Sequence, residues 1–178
     1  ASFIYEISWI RMLSLVLDDW VTLDALRTGL RYDEIEPYTG RDLAFFVHWL
    51  PFENGAYAFA LLVLVLSASL TVFLYALTPG LRYEQGRLRT SRHVRRHLSV
   101  LGALLLVLLA WGHRLDAYAL LLEGSGPAGA RTALDELVAV PTRMWLAVLT
   151  LAAALVVLRA GWAGRLRPAF WTVSAVLA

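Results

Sequence analysis

The sequence predicts an all-α integral membrane fold: three to four transmembrane helices plus interfacial helices on the extracytoplasmic side. Three observations predict it. The 178 residues are 59% hydrophobic, with a mean hydropathy of +0.61. Charged residues make up 17%, below the roughly 25% of a typical soluble domain. Uncharged runs alternate with short charged loops, and a hydrocarbon core about 30 Å thick needs roughly 20 helical residues to cross.

Residues 1–54 are the predicted outer region, and 55–178 the transmembrane region. In 1–23, Phe3, Ile4, Ile7, Ile10, Leu13 and Leu17 recur at helical spacing while Glu6, Arg11, Asp18 and Asp19 interrupt them. That pattern fits an interfacial helix, or the tail of a further span. "GRDLAFFVHWLPF", Gly40–Phe52, reads as a second interfacial helix. Gly40 and Asp42 suit a turn and a helix cap. Phe45, Phe46 and Trp49 suit the headgroup zone. Leu50-Pro51-Phe52 is expected to end the helix, because proline lacks the N–H that a helix needs. The first span then covers about 55–78, without a charge. The second covers about 98–113, with Arg96, His97, His113 and Arg114 placed to snorkel at its ends. The third covers about 144–160. Pro168 suits a helical first turn, so 168–178 reads as part of a fourth span. Both chain ends read as cut from a longer polypeptide. Small residues within Gly55–Ser69 and Leu98–Gly112 are expected at helix contacts.

Arginine density sets the orientation. All sixteen basic residues are Arg. Residues 79–97 hold six of them, Arg82, Arg87, Arg89, Arg92, Arg95 and Arg96, against one Glu. Residues 159–167 hold three and no acid. Both segments are expected in the cytoplasm, and 18–54 and 114–143 outside, across a bacterial inner membrane. The six arginines are expected to contact anionic lipid or a partner subunit. No aromatic platform accompanies them, so nucleic acid is not an expected partner.

Cysteine is absent, which excludes disulfides and thiolate chemistry, and the absence of Lys removes Schiff-base chemistry. No metal site and no catalytic group is expected. His93 and His97 stand four apart but lack a carboxylate to complete a metal site. In "WGHRLDAY", Asp116 is expected to pair with His113 or Arg114. The outer acids, Asp18 to Asp42, follow no calcium-loop pattern. His48 is the candidate pigment ligand: Ala44, four residues earlier, would leave room for a flat macrocycle, a spacing that resembles bacteriochlorophyll-binding helices. Pro51 is expected to cut that helix too short to enclose a pigment. No cofactor is therefore required, though pigment or lipid contact fits.

Two blocks carry a family resemblance. "YDEIEPYTGRDLAFFVHWLPF" resembles the D-P-x-F-G-x-D-x-x-F-Y-x-F-x-L-P-F pattern of the bacterial integral-membrane family known as uncharacterised protein family 0182. Gly40, Asp42, Phe45, Leu50, Pro51 and Phe52 fall on matching positions, and Phe46 replaces a Tyr. "HRLDAYALLLEGSGPAGARTALDELVAVP" is similar to a second block, with Leu115, Asp116, Tyr118, Leu120, Leu121, Gly129, Ala130 and Pro141 matching. A Tyr-Thr-Asp element of that block is replaced here by "RTALDEL". The resemblance spans roughly Trp9–Trp162. It implies the membrane portion of a larger protein with several N-terminal spans and a large extracytoplasmic domain, and it implies no activity.

The expected function is a non-enzymatic membrane subunit with a structural or assembly role in a larger complex, with a photosynthetic or other bioenergetic complex as the specific expectation. A transporter or channel fragment and a pigment-binding protein are the alternatives. For a transporter, the spans offer only Ser67, Ser69, Thr71, Ser99 and Thr150 as path-lining groups.

Overall fold

A computed structural model describes residues 24, 27–78, 81–84, 87–123 and 135–164. The predicted helix in 1–23 and the partial span 168–178 lie outside the described residues. Three long helices dominate. Helix α1 covers Leu50–Leu77 and continues a π-helical turn, Phe45–Trp49. Two short antiparallel strands follow, β1 (Leu81–Glu84) and β2 (Arg87–Thr90), with Leu81 opposite Thr90 and Glu84 opposite Arg87. Helix α2 covers Arg92–Glu123. Helix α3 covers Val140–Ala163 and continues a second π-helical turn, Asp135–Ala139.

Among the described residues, three apolar helices are long enough to cross a membrane: Phe45–Leu77, Arg92–Leu122 and Asp135–Ala163, of 33, 31 and 29 residues. At 1.5 Å per residue they run about 44–50 Å, well beyond the hydrocarbon thickness. Their ends therefore reach past the uncharged runs. The helical ladder continues through Arg92–His97 and Arg114–Leu122 because it needs backbone bonds, not apolar side chains.

Three expectations change here. The stretch Phe45–Phe52 is not a separate helix: it runs into α1 without a break. Pro51 is accommodated, not a stop. The turn before it is π-helical, and the Leu50 N–H bonds to the Phe45 carbonyl five residues back. The wider turn has already displaced the bond that proline cannot make and the carbonyl its ring would strike. The same arrangement recurs at Asp135–Ala139, where one residue also separates the π turn from Pro141. Third, the arginine-rich segment carries the β1–β2 ribbon, which no alternation of apolar residues announces.

The chain divides into two compact units, Ala1–Ala60 and Leu61–Ala178. In the second, α2 and α3 pack antiparallel along their lengths. Ala103 and Leu106 of α2 meet Ala153, Ala154 and Val157 of α3, with Leu109 and Leu158 at the margin. Small side chains let the backbones approach, which is how helices associate where lipid removes the hydrophobic drive. At Gly161 an added Cβ would collide with the Ser99 side chain. The small residues of α2 thus meet α3 as expected. In α1 only Leu50 and Glu53 are buried.

Polar groups bind the same pair at both ends. Arg95 Nε donates to the Gly161 carbonyl at 3.0 Å, and the Arg96 guanidinium lies 5.6 Å from the Trp162 ring centre. Helix α3 ends on Gly164 at φ +75°, whose N–H returns to the Ala160 carbonyl. At the far end Arg143 pairs with Asp116 at 3.5 Å. The predicted partners of Asp116, His113 and Arg114, are its neighbours in sequence. The observed partner comes from the neighbouring helix, and Arg114 instead lies over Tyr118 at 5.6 Å.

Candidate functional site

The segment Tyr32–Phe52 folds around one carboxylate. Asp42 Oδ1 accepts hydrogen bonds from the backbone N–H groups of Tyr32 (3.0 Å) and Ala44 (2.8 Å), and Oδ2 accepts one from Asp33 (3.0 Å). The N–H groups of Tyr32 and Ala44, then that of Asp33 and the Arg31 charge, hold the Asp42 carboxyl below the ordinary carboxylate range. Ile35 and Asp42 form an antiparallel bridge. Between them the chain reverses: Glu36 N–H donates to the Arg41 carbonyl, and Gly40 N–H to the Glu36 carbonyl, each at 2.8 Å. Gly40 takes φ +65°, a left-handed conformation that glycine adopts without cost. The Glu36 carboxylate closes the turn by accepting from the Thr39 N–H and hydroxyl.

The aromatic residues are arranged on this frame. The Arg41 guanidinium lies 4.4 Å from the Phe45 ring centre, and Phe45 meets Phe46 edge to face at 5.2 Å. Phe46 and Leu50 are buried, and Trp49 lies 5.9 Å from Phe52. Each motif residue thus has a physical role, as turn, acceptor, ring contact, core contact or π-turn exit.

His48 and Ala44 both line a cleft of about 230 Å³, with Leu30, Phe45 and Trp49. The Tyr32 hydroxyl and His48 Nε2 are hydrogen-bonded at 2.8 Å. An axial ligand would have to break that bond or use Nδ1. Because α1 continues to Leu77, helix length no longer argues against a ligand here, and the Tyr32 bond leaves Nδ1 as the ring nitrogen a ligand would take. Tyr32 escapes sequence reasoning, since nothing local links residues 16 apart.

The arginine-rich end is the second candidate region. Arg95 and Arg96 turn toward α3, as described above, while Arg92 is exposed. His97 Nδ1 and the Tyr75 hydroxyl are hydrogen-bonded at 2.7 Å, and the His93 and His97 rings stand 6.4 Å apart. Among the described residues no group of three or more His, Asp or Glu side chains is placed to hold a metal ion. Ser99 and Thr150, two of the polar groups within the spans, donate to their own helix: Ser99 to the Arg96 carbonyl and Thr150 to the Leu146 carbonyl.

The family model described as uncharacterised protein family (UPF0182) matches residues 4–178. A UPF0182 protein of Desulforamulus reducens is 27% identical over 164 residues, which are 92% of this chain and 18% of the relative. One from Kocuria rhizophila is 29% identical over 152 residues, 85% of this chain and 16% of the relative. One from Synechococcus sp. strain JA-3-3Ab is 36% identical over 93 residues, 52% of this chain and 11% of the relative. The chain therefore spans less than a fifth of the length of these relatives. No solved structure matches.

Proposed function

The chain belongs to the uncharacterised protein family UPF0182, and from the surface of α1 we propose that it forms part of a non-enzymatic membrane scaffold that works by packing against neighbouring spans. The observation that carries the reading is a stripe on α1. Val63, Leu66, Leu70, Phe73 and Leu77 follow one another at alternating steps of three and four residues along one seam, and all are exposed. Spacing of that kind is what a helix presents to another helix in left-handed packing.

The proposed orientation places residues 79–97 and 159–167 in the cytoplasm, and 18–54 and 114–143 outside, on the arginine asymmetry of the loops. The proposed partners are other membrane subunits and lipid. A transporter reading is less favoured because Ser99 and Thr150 bond to their own backbone instead of facing a path. A pigment reading would have to use Nδ1 of His48, because Tyr32 engages Nε2. No arrangement among the described residues favours a photosynthetic or other bioenergetic assembly over another kind.

Co-purification of the full-length protein from its native membrane, followed by native mass spectrometry, tests the reading. Stable association with other membrane proteins is expected. A monodisperse monomer without partners would contradict it.

A further inference from the structure

We propose that the groove between α1 and α2 binds one anionic phospholipid, with an acyl chain in the groove and the phosphate at Arg92, His93 and His97. The groove, about 260 Å³, is lined by Ala68, Ser69 and Val72 of α1 and by Leu98, Leu101 and Leu105 of α2, among others. Ala68, Ser69 and Gly102 give it depth, and the rest of its wall is aliphatic. From Leu98 to Leu105 it runs about 10 Å along the helix. It begins one residue from His97, so an apolar slot opens toward the Arg92 guanidinium and two imidazoles, an arrangement that matches an acyl chain joined to a phosphate.

The mouth has three contributors. Arg92 is exposed and has no protein partner among the described residues. His97 bonds to Tyr75 through Nδ1, which leaves Nε2 for a phosphate oxygen. His93 stands beside it. Helix α2 also begins at Arg92, so the positive end of its dipole points to the same place. Arg95 and Arg96 are excluded because they serve the end of α3. The site rests on α1 and α2 being membrane spans, not on the assembly role. It applies to whichever leaflet holds this end.

The test uses the full-length protein, delipidated in detergent and supplied with dioleoyl-phosphatidylglycerol or dioleoyl-phosphatidylcholine, with bound lipid counted by native mass spectrometry. One phosphatidylglycerol is expected to be retained in preference to phosphatidylcholine. Arg92→Gln should weaken that retention about fivefold, the scale of one basic residue at an anionic surface. Ser69→Phe fills the groove and should abolish retention with helix content and elution volume unchanged; if it disturbs either, Ser69→Leu takes its place. Glycerol phosphate, which has no acyl chain, should not compete. Equal retention of the two lipids, retention that survives a folded groove-filling variant, or displacement by glycerol phosphate would each overturn the proposal. A monomer that still holds phosphatidylglycerol would count against the assembly reading alone.

Discussion

Arg95, in the first turns of α2, donates its Nε–H to the carbonyl of Gly161, in the last turn of α3, at 3.0 Å. A carbonyl at a helix C-terminus has no partner within its own helix, and it sits at the negative end of the dipole. A guanidinium from the neighbouring helix satisfies both. Two arginines of the basic segment, Arg95 and Arg96, therefore fasten α2 to α3.

Replacing Arg95 should loosen that end. Arg95→Leu is expected to cost about 1–2 kcal/mol, the worth of a charge-assisted bond with its dipole contribution. Equilibrium unfolding in mixed micelles measures it. Arg82→Leu, outside the described α2–α3 contacts, is the control and should cost far less.

Gly161 is the second test. Any side chain there meets Ser99, so Gly161→Ala should destabilise the pair by about 1–3 kcal/mol. The collision involves both the Ser99 hydroxyl and its Cβ. Ser99→Gly in the same chain should restore much of the loss, and Ser99→Ala less. A double-mutant cycle reads the coupling.

The Asp42 carboxyl should give the loop its pH dependence. Its pKa is lowered in the folded chain, so its contribution is present above the unfolded value and disappears as pH falls through the folded one. Hydrogen-exchange protection at Tyr32, Asp33 and Ala44, corrected for intrinsic rates, should fall together on acidification. Asp42→Asn should show reduced protection already at neutral pH.

Pro51→Ala should let the π turn relax to an α turn. One residue fewer per turn rotates the preceding segment by about 100° relative to α1, which would part His48 from Tyr32. The His48 Nε2 resonance should move toward that of a Tyr32→Phe variant. An unchanged resonance would mean that the π turn is held by something other than the proline.

The three long apolar helices were legible because an uncharged run of bilayer length has few other uses. Their ends were not: charges at Arg92–His97 and Arg114–Asp116 stop the hydropathy signal while the helix goes on. Gly40 and Asp42 were legible as turn and cap types, but the three N–H groups on Asp42 come from both sides of a chain reversal. Tyr32–His48 and Tyr75–His97 join residues 16 and 22 apart, and Asp116 finds its partner on another helix. Such pairs depend on tertiary placement, which no local pattern encodes. Pro51 misleads because proline's rule applies to an α turn, and the chain supplies a π turn there.

The exposed seam of α1 is the surface proposed to meet protein. A photoreactive residue at Leu70, introduced into the full-length protein and activated in the native membrane, tests it most directly. Crosslinks to apolar peptides from outside this 178-residue chain are expected. Crosslinks to lipid alone would contradict the claim.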